Sequence, residues 1–230
     1  MFIPGQTIGP QTLLCPYCED HETYQQLDSS HPAYQYVKKA TEICRNEFNV
    51  ADDGLETSIW LGSRPELVFE KHLNRYNIYL DRGSNELQRM YSGGHEAFHR
   101  ACGEGKSMSH WIDEMFAVLF SLIYLDQIGE NAHAEANRIF LVHNSKKCSM
   151  ARMFAVSGTL IPDDISEAFY GRVYVVGKEL IDIVGWDRLK LLATTRNEEG
   201  VCMLDEWFST LPRQKRKRIS RVLKMKNAAG

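Results

Sequence analysis

No uncharged apolar stretch of the chain reaches the ~18–20 residues of a membrane-spanning helix, so no membrane partner is expected. The opening Met1-Phe2-Ile3-Pro4-Gly5-Gln6 has no basic region followed by an apolar run. No leader is read there, and the expected compartment is the cytoplasm. Repeats, low-complexity tracts and a clear linker are missing as well. Cysteine is sparse at six residues, which without a secretion signal read as reduced thiols rather than as a disulfide framework. Acid is missing from the end of the chain: from Arg213 onward there are eight Lys or Arg and no Asp or Glu. The first 212 residues therefore hold 19 basic against 30 acidic side chains, so a net charge of −3 combines a body at −11 with a basic tail.

With 43% hydrophobic and 25% charged residues, the 230-residue chain has the composition of a globular protein that can bury a core. Residues 1–35 carry four of the seven prolines and little apolar periodicity, and read as irregular. They contain Cys15-Pro16-Tyr17-Cys18, with His21 and His31 further on. Three readings stay open for this pair: a redox motif, half of a zinc knuckle completed by a histidine and Cys44, or a proline-bearing turn with two free thiols. Residues 36–212 are expected to form one domain, and 213–230 a basic tail with the pattern of an amphipathic helix. Such a tail suits binding to nucleic acid or to a partner, and equally a solvated terminus.

Within the domain, Tyr36, Val37, Ala40, Ile43, Cys44 and Phe48 recur at helical spacing from Pro32 to about Asn49. Residues 55–61 and 77–81 read as strands, with Tyr79 placed at a sheet edge. Ser63-Arg64-Pro65-Glu66 has the pattern of a capping box and predicts a short helix to about Arg75. Ser84 is expected to cap a helix carrying Leu87, Met90, Phe98 and Ala101, in which Gly93-Gly94 implies close backbone packing. The stretch from His110 to Ile128 is apolar almost all round and predicts a buried helix, and further helices are expected over 131–144, 164–184 and 186–195. The fold class is α+β: a small, mostly antiparallel sheet packed on the helix of residue 95, followed by a mainly helical half.

That helix carries His95-Glu96-Ala97-Phe98-His99. Histidines four apart on a helix share a face, where two imidazoles can grip one metal ion, and a glutamate beside the first can take a proton from a metal-activated water. Eight His and 18 Glu would give roughly 0.02 such matches by chance at this length. Glu114 opens the next helix, the buried one. It reads as a third ligand or as a partner of the helix dipole.

These residues resemble the zincin metallopeptidases, and within them the gluzincins. Trp111-Ile112-Asp113-Glu114-Met115-Phe116-Ala117 looks like the W-L-N-E-G-F-A segment of gluzincin aminopeptidases, and Tyr174-Val175-Val176-Gly177 resembles their downstream Y-x-x-G. The resemblance spans roughly residues 77–195. It implies that His95, His99 and Glu114 hold Zn²⁺, that Glu96 is general base and then acid, and that Tyr174 donates to the oxyanion during hydrolysis of a peptide or protein substrate. Tyr170, one turn earlier, competes for that last role. The chain departs from the family in three ways. Only 14 residues separate His99 from Glu114. A G-x-M-E-N exopeptidase signature is missing, and no Asp stands at the fourth position after Glu114 to orient His95. A regulator that binds nucleic acid or a protein while keeping a zincin domain is the competing function.

Overall fold

The computed structural model describes residues 24–103, 111–156, 161–198 and 200–224. Cys15, Cys18 and His21 lie outside the described residues. The architecture is α+β and mostly helical, with a small mixed sheet near the start. Among the described residues no helix is long and apolar enough to cross a membrane.

The short strand β1 (Gln25–Gln26) leads to helix α1 (Pro32–Phe48). His31 caps α1 by accepting a hydrogen bond from the Ala33 amide on Nδ1, and Pro32 costs nothing in the first turn. The helix ends at Asn49, which takes the left-handed conformation at φ 54°. The described part of the segment expected to be irregular, residues 24–35, thus holds β1 and the start of α1. Its periodic face, Ala33, Val37, Ala40, Cys44 and Phe48, is buried as the spacing requires.

Strands β2 (Thr57–Gly62), β3 (Glu66–Glu70) and β4 (Arg75–Asp81) complete a sheet of order β1-β2-β4-β3. The central pair β2–β4 is parallel, with Ile59 opposite Ile78, while β1–β2 and β3–β4 are antiparallel. Two sequence expectations are corrected here. Residues 66–70 form an edge strand instead of a helix, because pairing with β4 across a turn at Asn74 outweighs a local capping pattern. Tyr79 is consequently central, facing Trp60 on one side and Glu66 on the other. Ile59, Leu61, Ile78 and Leu80 share an apolar cluster with Ala33 and Val37 of α1.

Beyond the sheet come α2 (Glu86–Phe98), a π-helical turn over His99–Gly103, and α3 (Trp111–Gln127). Asn85, not Ser84, caps α2, accepting from the Gln88 amide at 2.9 Å. Every residue of α3 from Trp111 to Leu122 is buried, which matches its apolar circumference. It is enclosed by α2, by α4 (Asn131–Ser145) and by α6 (Ser166–Val184). The short α5 (Met150–Ala155) precedes α6, and α7 (Trp186–Thr194), α8 (Leu204–Ser209) and α9 (Arg213–Val222) come after it. The basic segment is therefore helical, and it packs on α6 by burying Ile219 and Leu223.

Candidate metal centre

Helix geometry places His95 in the last turn of α2 and His99 at its C-cap, one turn further on the same face, and α3 enters alongside with Glu114 in its first turn. The donor atoms converge. His95 Nε2 lies 3.1 Å from Glu114 Oε2 and 3.1 Å from His99 Nε2, and His99 Nε2 lies 3.6 Å from Glu114 Oε2. A tetrahedral ion with ligands at ~2.0–2.1 Å holds its donors about 3.3 Å apart, so these spacings straddle the edge of such a tetrahedron. The three residues can hold a metal ion.

Their charges are tuned to one another. Burial pushes the Glu114 carboxyl up, but His99 and His95 outweigh it with charge and hydrogen bonds and hold it far below the ordinary carboxylate range. Burial pushes His99 down, while Glu114 brings it up to about 9. Glu96 sits beside this cluster and is buried at 6% exposure. Burial raises its pKa; the two histidines oppose the rise and Glu114 reinforces it. A carboxylate raised in this way accepts a proton more readily than an ordinary one.

Close contacts fix the two helices. A Cβ on Gly93 would meet Val37 Cγ2 at 3.2 Å, and one on Gly94 would meet Tyr124 Cδ1 at 3.1 Å and the Ser121 Cα at 3.2 Å. The glycine pair lets α1 and α3 approach the backbone of α2 just before His95. On the other flank, the buried Arg100 reaches back to the sheet. It donates 2.7 and 2.9 Å hydrogen bonds to the two Asp53 oxygens and a 2.8 Å bond to Thr57, and its guanidinium stands 4.2 Å over the Tyr76 ring. The start of α3 is clamped by Arg196, which donates to Asp113 Oδ1 at 2.6 Å and to the carbonyls of Ala193 and Gly200. Sequence reasoning did not single out Arg100 or Arg196. An arginine directly after His99 and an acid directly before Glu114 were the available signals.

Of the two tyrosines, Tyr170 stands at the cluster, its ring perpendicular to that of His95 with centroids 5.6 Å apart. Burial, then Glu114 and Glu96, raise its pKa and keep the hydroxyl protonated. Tyr174 lines surface depressions with Arg138 and Lys178, separate from the cavity that His95 and Glu96 line. The structure therefore groups His95, Glu96, His99, Glu114 and Tyr170, and leaves Tyr174 outside that group. Cys44, weighed as a knuckle ligand, is buried with its sulfur 3.9 Å from Cys102 on the π-helical turn.

A cavity of about 560 Å³ adjoins His95 and Glu96, walled also by Tyr91, Ser92, His133 and Tyr170. No protein-family model, curated protein or solved structure matches the chain.

Proposed function

We propose that the chain is a zinc-dependent peptide hydrolase in which His95, His99 and Glu114 hold the ion and Glu96 moves the proton. The observation that carries this reading is the convergence of three lone-pair donors at tetrahedral spacing beside a buried carboxyl of raised pKa. The likeness of the same residues to gluzincin motifs supports it. A bound zinc ion would supply a Lewis acid that acidifies water and polarises a carbonyl. Glu96 accepts the proton of the attacking water and returns it to the leaving amine nitrogen. Tyr170, instead of Tyr174, donates its hydroxyl to the oxygen of the attacked carbonyl as charge develops there. The outer edge of the sheet, β3, offers backbone to an extended peptide, and its first residue Glu66 lies close enough to bear on the charge of Glu96.

Metal analysis and a peptide library test the reading together. Purified protein should carry one zinc, His95→Ala and Glu114→Ala should lose it, and Glu96→Gln should keep it while losing cleavage. Full cleavage by Glu96→Gln would remove the proposed base.

A second reading rests on α9. Arg213, Lys217 and Arg221 recur four residues apart, are exposed, and make no ion pair among the described residues. Such a stripe suits a phosphate backbone. Replacing the three by Gln should weaken binding to nucleic acid and flatten its salt dependence; unaltered binding would remove this reading.

A further inference from the structure

We propose that the outward face of α4 is a two-fold interface, on which a second copy of this chain packs its own α4 antiparallel. The inward face of the helix is taken up by the fold: Ala134, Leu141, Asn144 and Ser145 are buried. It is held close to α6, where a Cβ added to Gly171 would sit 2.4 Å from the Leu141 carbonyl oxygen and 2.6 Å from the Ser145 nitrogen. On a helix covered along one side only, the other side is expected to be polar. α4 departs from that pattern. Ile139 and Val142 are 63% and 43% exposed, and with Phe140 they make three of the seven exposed large hydrophobic side chains among the described residues. Single exposed apolar residues are ordinary, but a cluster on one helix marks a surface that something covers.

The order of the residues selects the occupant. Glu135, Ile139, Val142 and Lys146 follow one another at steps of four, three and four, the spacing that lines side chains into a single seam along a helix. All four are exposed. The seam is symmetric about its midpoint in position and opposite in charge at its two ends. A two-fold axis through that midpoint sets Ile139 against Val142 of the other copy and Glu135 against Lys146 of the other copy, each contact occurring twice. A partner helix of uniform charge would meet repulsion at one end.

Both charges are free to pair. Lys146 has no ion pair among the described residues, and Glu135 has only a 3.4 Å contact with Arg138, which also holds Asp126. Beside the seam a depression of about 410 Å³, walled by Tyr174 and Lys178 as well as by Ile139 and Val142, leaves room for an apolar side chain of the other copy. The pairing does not depend on the hydrolase reading.

Sedimentation equilibrium of the full-length protein tests it. A seam of two aliphatic side chains from each copy is a small interface, so half-dissociation on the order of 10–100 µM is expected. Ile139→Asp, at a solvent-facing position, should keep the mass of one chain at every concentration while its urea midpoint stays near that of the parent. The charges give a sharper test. Glu135→Lys sets lysine against lysine and Lys146→Glu sets glutamate against glutamate, so each variant alone should dimerise about tenfold more weakly. Mixed in equal amounts, the two variants are complementary at both ends and should form a heterodimer as tightly as the parent pairs with itself. A parent protein that keeps the mass of one chain up to about 500 µM overturns the proposal and gives the face to a different occupant. A dimer that survives Ile139→Asp overturns it as well, and so does a mixture that associates no better than its components.

Discussion

A Cβ atom on Gly94 would come within 3.2 Å of the Ser121 Cα, so helices α2 and α3 meet backbone to backbone one residue before the first histidine of the cluster. This contact sets how far His95 stands from Glu114. Gly94→Ala gains up to about 1 kcal/mol of helix propensity and loses about 1–3 kcal/mol to overpacking of a rigid contact. The expected net is a loss of about 1 kcal/mol in urea denaturation, with weaker zinc binding. Gly171→Ala should cost more, since its Cβ would strike the Leu141 carbonyl and the Ser145 nitrogen. A Gly94→Ala protein of unchanged stability and zinc affinity would show that the contact does not set the site.

The histidine–carboxylate cluster gives the zinc-free protein a pH signature. His99 rises from 6.5 to about 9 in the fold, so its charge pair with Glu114 stabilises fully below pH 6.5 and fades as pH rises through about 9. Glu114 is held low, so its contribution is present above 4.5 and is lost as acid reprotonates it. With a chelator present, the denaturation midpoint should peak between these limits and fall toward pH 9.5. Zinc binding at pH 7.5 should release about one proton, read by calorimetry in buffers of different ionisation enthalpy. Proton-neutral binding would contradict a charged His99.

The two tyrosines separate cleanly in a kinetic test. Tyr170→Phe should lower kcat by about 100-fold, as expected for loss of an oxyanion donor, with zinc content and KM little changed. Tyr174→Phe should stay within about twofold of the parent. The opposite ranking would return the role to Tyr174.

Arg196 and Asp113 form an ion pair whose side chains are only 12% and 8% exposed. Removing one partner leaves a buried charge, so Arg196→Met should destabilise by about 3 kcal/mol. Zinc affinity should fall with it, because Glu114 neighbours the unpaired acid. Adding Asp113→Leu should recover part of the stability. Additive losses in that double-mutant cycle would mean that the pair is not coupled.

Much of this arrangement could be read from residue order. The three- and four-residue recurrence from Tyr36 to Phe48 foretold α1, and the continuous apolar run after Trp111 foretold a helix buried all round. Glycines before His95 announced a close approach that the structure shows. Elements decided by distant pairing were not legible. Residues 66–70 carry a helix-start pattern yet join β4, and parallel pairing of β2 with β4 sets the strand order through contacts nearly twenty residues apart. Met150–Ala155 and Leu204–Ser209 are too short to show a period. Tyr170 and Tyr174 lie one turn apart on α6, so spacing alone could not tell which faces the histidines; the packing of α4 and α6 decides that.

The π-helical turn at His99–Gly103 means that the chain carries one residue more than an α-helical turn accommodates. Deleting Ala101 would leave the spacing of His95 and His99 intact, yet it would swing Cys102 by about 100° and draw it back by about 1.5 Å. Cys102 would then lose its place opposite Cys44. The surplus residue therefore sets where Cys102 points independently of the histidine pair. A one-residue change of length there should unseat the contact between Cys102 and Cys44 while sparing the two histidines.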